Sequence, residues 1–139
     1  MSLATNRSAR HDYAITDTLE VGIKLTGPEV KSVKAGAINL KGSFVVIKNE
    51  TLQLVGCHIS PYTFARQEGY EPMRSRILLA HKKEIQKLIG ALQQKGLTLL
   101  PLDVHVSHGI IKLTIGLGKS KKKHDKREDI KKRDIDREM

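Results

Sequence analysis

The residues best equipped for chemistry are six histidines, one cysteine and a scatter of carboxylates. A structural zinc site draws on four such ligands, and its signature is close, paired spacing. Cys57 and His58 are adjacent in an extended segment, so their side chains face opposite ways. His105 and His108 flank a turn, with no second cysteine and no acid pair near them in the chain. No spacing matches a metal pattern, and neither a metal nor a cofactor is expected. His11, Asp12 and Glu20 have the side chains a nuclease uses as acid and base. Nothing in their spacing pairs them, and no GxxxxGK[ST] loop is present to cradle a phosphate. The chain does not read as an enzyme.

Binding chemistry is better supplied. The 139 residues carry a formal charge of +10, and it divides between two regions. Residues 119–139 hold ten basic against six acidic side chains, and the preceding body holds fifteen against nine. Both regions are therefore basic, which favours a polyanion contacted by both. Three tyrosines, two phenylalanines and no tryptophan make a poor base-stacking platform of the single-strand-binding kind. Recognition of a folded RNA by shape and backbone suits the composition better. Glu20, on a basic body, has the chemistry to accept hydrogen bonds from a base amine or a 2′-hydroxyl. Its ordinary reading is a solvent-facing strand residue. Lys112, between Ile111 and Leu113, points off a strand toward solvent and has the same ordinary reading.

These residues need elements to hold them. Residues 1–8 read as a flexible start. Val21, Ile23 and Leu25 alternate with Gly22 and Lys24, a half-buried strand. Thr26-Gly-Pro-Glu29 is a helix start with the ingredients of a capping box, and Gly36 ends that helix. Phe44–Ile47 and Leu52–Val55 flank a polar turn and predict a hairpin. Thr63 to Ser75 reads as a loop, with Arg66, Arg74 and Arg76 as its basic residues. Leu78, Ile85, Leu88, Ile89 and Leu92 fit one helical face, with Gly96 at the C′ position. Leu102, Val104 and Val106, then Ile111, Leu113 and Ile115, predict a second hairpin around Ser107-His-Gly109. The fold class expected is mainly β (α+β): a small antiparallel barrel of the oligonucleotide-binding kind, with two or three helices packed on it.

The apolar pattern stops at Leu117. Beyond it, Glu128 precedes Lys132 and Asp129 precedes Arg133 by four residues, the favourable order for helix-surface ion pairs. Ile130 and Ile135 share no helical stripe. The organisation expected is a flexible start (1–8), an RNA-binding domain (9–118) and a basic tail (119–139). That tail is helix-capable but coreless, loose alone and ordered on an anionic partner. A lone cysteine permits no internal disulfide, and no apolar run approaches membrane-spanning length. A soluble cytoplasmic protein is expected.

Along nearly its whole length the sequence resembles small protein B, the SsrA-binding family of bacterial trans-translation. The match lies in Asn6-Arg-Ser-Ala-Arg-His-Asp-Tyr13, Thr26-Gly-Pro-Glu-Val-Lys-Ser32 with Ala35-Gly36 and Asn39-Leu40, and His58-Ile-Ser-Pro61. It continues in Glu71-Pro72 with Arg74 and Arg76, Leu78-Leu79 running into His81-Lys-Lys-Glu84, Gly96-Leu-Thr98 with Pro101-Leu102, and His124-Asp-Lys-Arg127. Ser8 stands where the family usually has Lys or Arg, Ile77 where Lys is common, and Ala80 where a third Leu is usual. The resemblance implies a non-catalytic adaptor, expected to be a monomer. Its barrel binds the tRNA-like domain of transfer-messenger RNA, and its tail reaches the decoding centre and empty mRNA channel of a stalled ribosome. Asn6, Arg7, Arg10 and His11 match the motif beside the RNA. Glu20, Leu79 and Lys112 match positions implicated in binding it, and Lys119, Lys121 and Lys122 match the basic run leading into the tail. His124, Asp125, Lys126 and Arg127 match the residues needed on the ribosome, and Lys131, Lys132 and Arg133 are expected to face ribosomal RNA phosphates. The alternative is a structural ribosomal-RNA-binding protein, which would be present once per ribosome and survive a high-salt wash.

Overall fold

A computed structural model describes residues 2–63, 68–94 and 96–121. Its strands are β1 (Ser2–Thr5), β2 (Tyr13–Ile23), β3 (Ile38–Asn39), β4 (Phe44–Lys48), β5 (Thr51–Val55), β6 (His58–Ile59), β7 (Arg76–Leu79), β8 (Leu97–Ser107) and β9 (Ile110–Ser120). Helices α1 (Arg7–Asp12), α2 (Gly27–Lys34) and α3 (Lys82–Leu92) lie between them. Seven strands form one antiparallel sheet in the order β1-β8-β9-β2-β7-β5-β4, and β3 pairs with β6 apart from it.

The fold is mainly β, as expected, but the barrel is open. No ladder joins the edge strands β1 and β4, although β4 lies against β8. The chemistry of the β8 edge explains the gap. Pro101 has no N–H to give to a ladder. Asn6 occupies the carbonyls beside it: its backbone N–H donates to Leu102 O at 2.7 Å and its side-chain amide to Pro101 O at 2.9 Å.

Alternation builds the core. Ile111, Leu113, Ile115 and Leu117 of β9 are buried, as are Val21 of β2, Leu52 and Leu54 of β5 and Leu78 of β7. At its far end β9 is covered on its other face too. Gly116 and Gly118 carry no side chain there, and Leu100 and Leu102 fold over that surface to meet Ala9 of α1. A Cβ on Gly116 would sit 2.7 Å from Leu102 Cδ1. These two glycines therefore make the seat on which α1 rests.

The α2 start follows the sequence reading: Thr26 Oγ1 accepts from the Glu29 N–H and Glu29 Oε1 accepts from the Thr26 N–H. Both predicted hairpins form. Their turns, Asn49-Glu50 and His108-Gly109, have positive φ at both central residues, which matches the twist of the flanking strands.

Several boundaries differ from the expectation. Leu78 belongs to a strand, not to the helical stripe, because it pairs with Leu52 in the buried layer. Helix α3 ends at Leu92, so Gly96, at φ +88°, serves the turn into β8. Ser2–Thr5 form a strand on β8 rather than a loose start, and β9 continues past residue 118 through Ser120. Arg76 leaves the loop for β7 and the interior, while Arg74 stays in the loop, half-buried. Arg76 is fully buried and donates to Glu29 Oε2, to Tyr70 Oη and to Cys57 O, while Arg74 donates to Glu29 Oε1.

Candidate nucleic-acid interface

Strand register assembles the first candidate surface. Gly22 of β2 stands opposite Leu79 of β7 on one side and Lys112 of β9 on the other. Lys112 stands opposite His105 of β8, and His105 opposite Ser2 of β1. Directly opposed residues share a face of the sheet, so Leu79, Lys112, His105 and Ser2 form one row across it. Two residues along, Glu20, Thr114 and Asp103 form the next row on the same face. The intervening residues Val21, Leu78, Val104, Ile111 and Leu113 are buried, so both rows look outward. Leu79 is 55% exposed, and the missing side chain at Gly22 makes room for it: a Cβ there would lie 3.3 Å from that of Leu79. Glu20, Leu79 and Lys112, separated by up to 92 positions in the chain, thus come together on one open face.

That face carries a small ionic cluster. His105 Nε2 lies 2.8 Å from Glu20 Oε2, and His105 Nδ1 lies 2.9 Å from Asp103 Oδ1. The Glu20 hydrogen bond, aided by Asp103, holds the imidazole pKa above its ordinary value against the opposing effect of burial. Protonation lets the ring donate from both nitrogens, leaving Glu20 Oε1 as the oxygen open to an incoming donor.

The second surface lies at the opposite end of the β2–β9 ladder. Tyr13 stands opposite Ser120, nine positions along β2 from Gly22 opposite Lys112, or roughly 30 Å of extended strand. Here Asn6 caps α1, accepting from the Ala9 N–H at 3.3 Å while its amide holds Pro101. With 6% of its surface exposed, Asn6 positions the helix, while Arg7, Arg10 and His11 are exposed on it. Lys119 opposes Ala14, and the Lys121 N–H donates to Asp12 O at 3.1 Å, which ties the strand end to the end of α1. Both lysines are exposed, so four Lys or Arg and His11 gather around this junction. Lys122, His124, Asp125, Lys126, Arg127, Lys131, Lys132 and Arg133 lie outside the described residues.

Sequence reasoning weighed His105 only as a metal ligand and passed over Asp103, Thr114, Ser2 and Gly22 as members of the first surface. Asp103 and His105 are two apart on a strand, so their shared face was legible. Their juxtaposition with Glu20 depends on a cross-strand register that no local pattern encodes. Cys57 is buried, which pushes its thiol up to about 11, away from reactive thiolate chemistry. Among the described residues no His, Cys, Asp or Glu cluster is arranged to hold a metal ion, and no helix is long and apolar enough to cross a membrane.

An open antiparallel sheet, two charged outward surfaces and a basic continuation define a small β protein built for surface recognition. Comparison with known proteins gives the same direction. The family model described as SmpB protein matches residues 3–139. An SsrA-binding protein of Prochlorococcus marinus (strain MIT 9313) is 54% identical over 138 residues, covering 99% of this chain and 84% of the relative. An SsrA-binding protein of Limosilactobacillus reuteri (strain DSM 20016) is 50% identical over 137 residues, covering 99% and 87%. A solved chain described as "tmRNA-SmpB: a journey to the center of the bacterial ribosome" superposes with a TM-score of 0.72 at 42% identity, covering 91% of this chain and 92% of that one. The chain belongs to the SmpB protein family.

Proposed function

We propose that this protein is a non-catalytic, cytoplasmic RNA adaptor that binds the tRNA-like domain of transfer-messenger RNA and carries it to stalled ribosomes. The observation that carries the reading is the single outward face on which Glu20, Leu79 and Lys112 meet. It supplies a hydrogen-bond acceptor, an apolar contact and a cation, which together suit a folded RNA better than a featureless polyanion. Arg7, Arg10, His11, Lys119 and Lys121 add phosphate contacts at the other end of the ladder, with Asn6 holding the helix that presents two of those cations. The relatives' name, SsrA-binding protein, and the tmRNA–SmpB description of the solved chain support this choice of RNA.

In this reading Lys122 continues the basic run, and the tail acts after delivery. His124, Asp125, Lys126 and Arg127 engage the decoding centre, and Lys131, Lys132 and Arg133 pair with ribosomal RNA phosphates. The test measures RNA affinity and peptide tagging on the same protein. For the full chain, log K should fall linearly with log salt at a slope on the order of −3 to −6, as several phosphates are neutralised. Changing Asp125, Lys126 and Arg127 together to Ala should abolish tagging on stalled ribosomes with little loss of RNA affinity. Equal losses of both would remove the division of labour between sheet and tail.

A further inference from the structure

We propose that His105 is a positioning residue for RNA recognition. It clamps Glu20 on the outward face of the sheet, and loss of one imidazolium proton releases the clamp, so that binding by this face is tuned by pH. The inference rests on the RNA-binding reading above and adds to it a residue and a condition.

The geometry carries it. Both ring nitrogens of His105 sit within hydrogen-bond distance of a carboxylate oxygen, Nε2 of Glu20 and Nδ1 of Asp103. Only the imidazolium can donate to both; the neutral ring donates to one and turns a lone pair toward the other. Asp103 is on the same strand as His105 and 19% exposed, whereas Glu20 reaches across from β2 and is 49% exposed. The single proton of the neutral ring therefore stays with Asp103, and Glu20 is the partner released. The groups facing His105 set where this happens. Glu20 from β2 and Asp103 from β8 favour the imidazolium, partial burial opposes it, β9 places Lys112 opposite His105 in register, and β1 contributes Ser2, which has no titratable side chain. The balance raises the imidazole pKa above its ordinary value of 6.5. A raised value means the clamp is fully present below that ordinary value and is lost as pH rises through the folded one.

Release matters because a half-exposed glutamate rotates freely. An unclamped Glu20 must be ordered when RNA arrives, at an entropic cost that the clamped side chain has already met.

The experiment uses the full chain and a transcript of the tRNA-like domain, with affinity measured from about pH 5.5 to about 8.5, the range in which imidazole titrates. Wild type should lose about 3- to 10-fold in affinity across that range, the scale of one hydrogen bond to a charged group weakened but not replaced. His105→Ala should bind weakly throughout and lack the step. His105→Gln, whose amide donates at every pH, should regain most of the affinity and still lack the step. His11, His58, His81, His108 and His124 are unchanged in all three proteins, so the differences between profiles belong to His105. Without RNA, the His105 pKa read by NMR should fall in Glu20→Gln. If His105→Ala follows the wild-type profile, or His105→Gln keeps the wild-type step, the proposal is overturned while RNA binding stands. If wild type fails to bind the transcript at every pH, the RNA reading falls and this inference with it.

Discussion

Two glutamates, nine positions apart, sit in opposite circumstances. Glu29 has a side chain 1% exposed and is held by the Thr26 N–H, Arg74, Arg76 and Tyr70. Burial alone would raise its pKa, but the Thr26 N–H and the Arg74 and Arg76 guanidiniums outweigh burial and hold the carboxyl at about 2. Glu20, with a side chain 49% exposed, has one imidazole partner among the described residues. The first network ties the start of α2 to β7 and to the carbonyl of Cys57, so it serves the fold. The second leaves one oxygen free on an open face, so it can serve a partner. Charge counted from the sequence does not separate the two cases. Arg76 contributes to the +10, yet it is sealed inside and presents nothing to RNA.

The contrast can be broken most forcefully at Arg76. Arg76→Leu strands the buried Glu29 carboxylate with only part of its compensation. It should cost about 3–5 kcal/mol of stability in urea unfolding, the scale for a buried pair with one partner removed. Replacing Glu29 and Arg76 together with Leu and Met should recover a large part of that loss. A double variant as unstable as the single one would show that the network does more than balance charge.

Acid unfolding gives the next effect. The folded pKa of Glu29 is depressed, so its contribution is present above about 4.5 and is lost as pH falls toward about 2. A shift of this size corresponds to about 3 kcal/mol. Glu29→Gln should remove that part of the acid limb of a stability–pH curve. An unchanged limb would mean that other carboxylates carry acid sensitivity.

Leu79 tests the open face more gently. It is exposed, so Leu79→Ala should change stability by no more than about 0.5 kcal/mol. Loss of its apolar contact with RNA should weaken binding by about 1 kcal/mol. Calorimetry for folding and a filter-binding titration for RNA separate the two readouts, and unchanged affinity would take Leu79 out of the interface.

How legible this was in the sequence differs between the two networks. The capping box at Thr26 and Glu29 is local, four consecutive residues with fixed roles, and it was readable. That Glu29 also receives Arg76, 47 positions away, was not, and both arginines read as loop residues. The alternating strands β4, β5 and the middle of β9 were readable because one face is buried. The first half of β2 was not, since Thr16, Asp17 and Thr18 are all exposed and break the alternation. The β1 strand was missed because four residues at a chain end carry no pattern of their own. Lys112 could be placed on the outer face by alternation, but its row with Leu79 and His105 exists only in the register of four strands. For the same reason Glu20 looked like an ordinary strand carboxylate until the family resemblance singled it out.

The most direct measurement of the central claim is the RNA affinity of Glu20→Ala, taken beside its thermal unfolding. The variant is more positive by one charge, so a protein that merely attracts RNA should bind slightly tighter. If Glu20 accepts a hydrogen bond from RNA, affinity should instead fall by about 1.5–3 kcal/mol. The melting temperature should stay within a few degrees of wild type, because the fold rests on Glu29 and not on Glu20. Weaker binding by an intact fold is the result this account predicts; equal or tighter binding would contradict it.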